Sequence, residues 1–239
     1  MFRRTYAAVT VALISCAACS DDAPLDPDAA DAIDAAVDAI DSGARCGADF
    51  FLTGEFTDWD STTTSFDGVE FATWTVRGEP TRTVMTNPNG RVELCIAAGA
   101  TSVISITQAE YVESIYVADP TVFQAPGLFF FQTKGIKVAR APAFYASLGS
   151  LGSFDATRGH VLVQKQGAAI PLALSLGGTA FAVDGSDDLS WTAGDAGGLV
   201  LFANVPLTAA TATLTSTTAF VGPSTLPVEA GKLTITTIR

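Results

Sequence analysis

The chain has 239 residues, 48% of them apolar and 16% charged, and its 25 acidic residues outnumber 13 basic ones for a formal charge of −12. That surplus leaves no basic face evident for nucleic acid, and a single histidine excludes any metal motif that needs two. After residue 20 no uninterrupted apolar run approaches the roughly 18 residues of a membrane span; the nearest, residues 167–183, is broken by Pro171 and the Gly177-Gly178 pair.

At the amino terminus Met1-Phe2-Arg3-Arg4 precedes an uncharged stretch from Thr5 to Ile14, the layout of a secretory signal over residues 1–15. Leu13-Ile14-Ser15-Cys16 resembles the lipobox of bacterial lipoproteins, with a branched apolar residue three before the cysteine and a small residue just ahead of it. The resemblance implies that Cys16 is diacylated through its sulfur, becomes the first mature residue and anchors the protein to a membrane. Two other readings stand beside it. Cys16-Ala-Ala-Cys19 has C-x-x-C spacing, but a redox motif opens a helix after a strand, whereas this pair ends a leader. Cleavage after Ala17 would instead release a soluble secreted protein. Each buried methylene contributes about 0.8 kcal/mol, so two or three acyl chains hold a protein on a bilayer far longer than one.

Residues 16–44 are, on that resemblance, the lipidated end and an aspartate- and alanine-rich linker. Eight aspartates and no basic residue fall between Ser20 and Ala44. Ile33, Val37 and Ile40 have helical spacing, but aspartate is a poor helix former and like charges repel along every face. An extended tether is predicted, reaching roughly 25 to 30 Å if fully flexible and farther under self-repulsion. Such tethers resemble those of lipoproteins in some Gram-negative bacteria. Ala17 stands where enteric bacteria place an inner-membrane retention aspartate, so the resemblance implies the outer membrane, facing either the periplasm or the exterior.

Beyond the tether, threonine, valine, glycine and phenylalanine dominate, with turn residues every eight to twelve positions. That pattern predicts an all-β body of two sandwiches, residues 45–140 and 154–239, joined by a short helical connector over 141–153. In the first half Val69 to Trp74 alternates toward a strand, Asn89-Gly90 signals a hairpin, and Arg91 to Ile96 alternates again. Cys46 and Cys95 are expected to be bridged in an exported protein, closing a loop of about 50 residues and contributing roughly 4 kcal/mol. In the connector, Pro142 suits a first helical turn and Phe144, Leu148 and Leu151 share a face, with Gly149 and Gly152 ending it. In the second half Thr179 to Val183 and Leu199 to Ala203 read as strands around the turn Asp195 to Gly198, and Leu233 to Ile238 as the last strand.

Thr86-Asn-Pro-Asn-Gly90-Arg-Val92, and Asp195-Ala-Gly-Gly198-Leu-Val200 with Asn204-Val-Pro206, are similar to the turn and strand signatures of carboxypeptidase regulatory-like domains, a transthyretin-like, Ig-like sandwich. Ile96-Ala-Ala98 departs from that pattern where N-V-P is usual, and Thr208 where a glycine is. The resemblance implies an accessory, adhesive or spacer module without a shared active site.

Chemistry-bearing motifs are sparse. No G-x-S-x-G, S-x-x-K or phosphate loop occurs, and His160, at the start of a predicted strand, reads as a surface or hairpin residue. Asp58-Trp59-Asp60 and Asp184 to Asp188 are acidic enough to touch a cation but lack calcium-loop spacing. No catalytic residue, metal ligand or cofactor is therefore assigned, and the chain is expected to be a monomeric, non-catalytic structural or binding module whose ligand the sequence does not name. An adhesin that takes a glycan or an envelope protein with loop aromatics is the alternative, and a hydrolase with an unrecognised site the third reading. Trp59 and Trp191 are the candidate ligand-contact aromatics, although these rings, like Trp74, Tyr111, Tyr116 and the run Leu128 to Phe131, more readily serve as core.

Overall fold

The computed structural model describes residues 45–61, 67–124, 130–149, 153–183 and 190–239. The leader, Cys16, Cys19 and the tether lie outside the described residues, as do Leu128, Leu151, Gly152 and the acidic stretch Asp184 to Asp188.

The strands in chain order are β1 (Phe50–Asp58), β2 (Thr73–Val76), β3 (Thr83–Met85), β4 (Arg91–Ile96), β5 (Ser102–Thr107), β6 (Ser114–Ala118), β7 (Phe131–Gly135) and β8 (Gly159–Lys165). They continue with β9 (Ala173–Leu174), β10 (Thr179–Val183), β11 (Thr192–Ala193), β12 (Leu199–Val205), β13 (Thr211–Thr215), β14 (Thr225–Pro227) and β15 (Leu233–Ile238). A four-residue helix, α1 (Pro120–Phe123), follows β6, and the connector forms α2 (Ala141–Ser147), ended by Gly149 at φ 80°. The class is all-β, as the alternation and turn spacing predict.

Nine strands form one sheet, in the order β11-β10-β12-β8-β15-β6-β5-β2-β3, accompanied by two three-stranded sheets, β4-β1-β7 and β14-β13-β9. Period-two alternation sorts the long sheet's side chains into two cores. Trp74, Ile104, Tyr116, Leu162, Phe181, Leu201 and Ile235 join Leu52, Phe56, Val92, Leu94 and Phe131 of the β4-β1-β7 sheet. Their neighbours Ile115, Val117, Val161, Val163, Val200 and Phe202 join Leu174, Ala212, Leu214 and Leu226 of the β14-β13-β9 sheet. The two small sheets therefore cover opposite faces of the long one. Each small sheet forms a two-layered sandwich with the long one, and each of the two cores draws on residues from both ends of the long sheet or its middle strands.

The last strand makes that sharing possible. β15 runs parallel to β6 on one side, with Leu233 opposite Ser114, and parallel to β8 on the other, with Leu233 opposite His160. All three strands are buried along their whole length, as parallel strands covered on both faces must be. Thr234, Thr236 and Thr237 of β15 tolerate this because their hydroxyls are bonded. Thr234 donates to the Pro227 carbonyl at 2.6 Å, Thr236 to the Val117 carbonyl at 3.0 Å, and Thr237 pairs with the Tyr116 hydroxyl at 3.0 Å.

Three local expectations are corrected. Asn89-Gly90 turns the chain, with the Gly90 N–H donating to Asn87 at 2.9 Å, but it does not make a hairpin: β3 pairs with β2 in the long sheet and β4 with β1 in a small one. Gly90, at φ 75°, lies so close to the Phe56 carbonyl and to Gly68 that a Cβ there would collide with both. Of Val69 to Trp74 only Thr73 and Trp74 enter a strand; Glu70 and Phe71 form a turn, with Phe71 exposed and held at φ 56°. His160 is no surface residue. It is fully buried, because β8 lies inside the sheet and is covered on both faces.

The disulfide is present. Cys46 and Cys95 are bridged with their Cα atoms 5.5 Å apart, fastening the chain just ahead of β1 to β4.

Candidate ligand-binding cleft

The end of β1 and the start of α2 position the aromatic site. Asp58, the last residue of β1, is buried, and accepts hydrogen bonds from the Tyr111 hydroxyl at 2.8 Å, the Lys137 ammonium at 3.1 Å and the Asp60 backbone N–H at 3.0 Å. Burial pushes its carboxyl up, but these bonds outweigh burial and hold it below the usual carboxylate value. The following backbone is pinned from β7: the Lys134 ammonium donates to the carbonyls of Trp59 at 3.3 Å and Ser61 at 2.6 Å. Trp59 is thereby fixed with its ring inward, 2% exposed.

The two candidate aromatics, far apart in sequence, are brought together. Trp59 and Trp191 stack with ring centroids 5.6 Å apart and planes 17° from parallel. Phe144 of α2 meets Trp59 edge-on at 5.0 Å and Trp191 edge-on at 5.9 Å. Trp59 is the inner ring and belongs to the core; Trp191 is the outer, partly exposed one, and its indole N–H is buried without a partner among the described residues. Beside them Arg140 grips Asp60 with two bonds, Nε to Oδ2 at 2.8 Å and Nη2 to Oδ1 at 3.3 Å, and lies 5.8 Å above the Phe144 ring. Trp59, Asp60, Arg140, Phe144, Ser147, Leu148 and Trp191 line a cleft of about 300 Å³. Sequence alone singled out the two tryptophans but not Arg140 or Phe144, whose contribution depends on how α2 docks.

Asp58 and Asp60, the acidic pair flanking Trp59, are thus each engaged by a cation of the chain itself. His160 sits elsewhere, stacked on Phe154 at 4.2 Å and edge-on to Tyr145 at 5.0 Å. Its Nδ1 accepts the Asn204 N–H at 3.4 Å and its Nε2 faces the Asp155 carbonyl at 3.2 Å, which sets the Nε2–H tautomer. Burial pushes its pKa down to about 4.

The residues that carry the resemblance to regulatory-like domains have structural work. The Thr86 hydroxyl donates to the Val69 carbonyl at 2.6 Å and accepts the Ala72 N–H at 2.8 Å, bracing the Glu70-Phe71 turn. Asn204, at φ 52° in the bulge of β12, accepts from the Asp155 N–H and donates to the Ser153 carbonyl, both at 3.2 Å.

No protein-family model matches the chain and no curated protein matches it in sequence. Among solved structures it is similar to the Bacillus anthracis TIE protein, with 11% identity, a TM-score of 0.29, and coverage of 79% of this chain and 34% of that one. It is also similar to two B repeat units of the collagen binding protein of Staphylococcus aureus, with 11% identity, a TM-score of 0.22, and coverage of 80% and 49%. The chain spans about a third of the first and half of the second.

Proposed function

We propose that this chain is an exported, lipid-anchored envelope protein whose all-β body, carried on an acidic tether, is a non-catalytic binding module. The observation that carries this reading is the Cys46–Cys95 bridge at the point where the tether gives way to the body. Persistent disulfides belong to oxidising compartments, which supports reading residues 1–15 as an export signal and Cys16 as the lipid attachment site. The outer membrane of a Gram-negative cell is the address that the residues around Cys16 favour. The chain's one histidine is enclosed by aromatic rings, with both ring nitrogens facing backbone groups, so this reading gives it a structural role.

Feeding cells a radioactive fatty acid tests the anchor. Wild-type chain takes up label in the membrane fraction, and Cys16→Ala takes up none while its Cys46–Cys95 bridge still forms. Unlabelled wild-type chain, or label retained by Cys16→Ala, rules the anchor out.

A further inference from the structure

We propose that the cleft beside Trp191 is a saccharide site for one or two pyranose rings, with Trp191 as the stacking surface and the Asp60–Arg140 pair as the hydroxyl-binding rim. This rests on reading the body as a binding module and names what it binds. A pyranose presents an apolar face of C–H groups and a rim of hydroxyls, so a site for it needs a flat ring next to planar hydrogen-bonding groups. Both are here within one cleft of about 300 Å³. Trp191 is backed by Trp59 and wedged edge-on by Phe144, so its plane is fixed before any ligand arrives.

Charge decides between ligand classes. Asp60 and Arg140 neutralise one another in a bidentate pair, and an anionic or cationic ligand would have to compete with that pair for its own counter-charge. A neutral polyol does not. The two side chains remain 47% and 40% exposed, and two bonds leave a carboxylate and a guanidinium with further acceptor and donor positions for hydroxyls. Asp60 is itself positioned through its N–H on the buried Asp58 carboxylate.

The test uses the full chain in detergent and a panel of methyl glucoside, galactoside, mannoside and N-acetylglucosaminide with cellobiose, lactose and chitobiose. Binding is read by tryptophan fluorescence and by saturation transfer to ligand protons. At least one sugar should bind saturably below about 10 mM, with transfer strongest at its C–H face. Trp191→Ala should weaken it at least about tenfold. Because Trp191→Ala also removes a packing partner of Trp59, Arg140→Gln at the exposed rim serves as the second variant, and should weaken binding with the near-ultraviolet dichroism unchanged. The proposal is overturned if no sugar of the panel binds below about 10 mM, or if both variants bind as wild type does. A chain that takes up fatty acid on Cys16 but no sugar would lose this site and keep the anchored module.

Discussion

His160 has its protonation state set by its surroundings. Folded, it is walled in by Phe154 and Tyr145 and resists protonation until about pH 4, whereas in the unfolded chain it titrates near 6.5. Between those values the unfolded state binds the proton more readily, so stability is full above pH 6.5 and falls as pH drops toward 4. The loss is about 3 kcal/mol and levels off below that for this group. Urea unfolding at pH 7 and at pH 4.5 should resolve most of it, and His160→Gln should flatten the difference; an equal fall in the variant would show that other groups cause it. Residue type and place in the sequence gave no sign of this burial, since a histidine opening a strand usually meets water. The residues that could be read were those with a stiff backbone demand: Gly90 before β4, Pro142 in α2 and Gly149 after it.

At the level of strands and helices, legibility followed chemistry that repeats at short range. β4, β10, β12 and β15 lie where the sequence places them, within two residues, and α2 begins one residue before Pro142. Threonine misleads, because it is β-branched like valine but counts as polar. β15 carries three threonines yet is buried along both faces, each hydroxyl satisfied by a carbonyl or another hydroxyl. The Asn89-Gly90 turn shows the complementary limit: its backbone conformation is written locally, but whether the next strand pairs backward or crosses to another sheet depends on partners far away. The disulfide joins two such distant elements. Cys95→Ser should lower the unfolding free energy by roughly 4 kcal/mol, seen as a lower urea midpoint that matches the reduced wild type; a change under about 1 kcal/mol would mean that β1 and β4 hold the loop closed without it.

Across the body, the shared sheet means that neither half is finished without the other. β15 comes from the last residues of the chain yet supplies Leu233 and Ile235 to one core and Ile238 to the other, between strands from both halves. Arg77 of the first half adds an ion pair with Glu229, and Lys232 bridges Glu229 and Glu113. Calorimetry of the full chain should therefore show one endotherm for the body, with calorimetric and van't Hoff enthalpies equal. Two resolved endotherms would mean that the sandwiches melt separately. Turn spacing predicts strands but not the sheet that both halves enter, because the pairing of β6 and β8 with β15 spans more than 70 residues on either side.

The bridge ahead of β1 also determines how the body responds when tugged from its amino-terminal side. Phe50 opposite Ile96 is the outermost rung of the β1–β4 ladder, and an antiparallel ladder pulled at such an end opens one rung at a time. Cys46 sends tension through a covalent bond into Cys95, on the partner strand beside that rung, so the ladder's weakest edge carries almost none of the load. A pull that enters ahead of β1 is thus shared between two strands from its first covalent crossing.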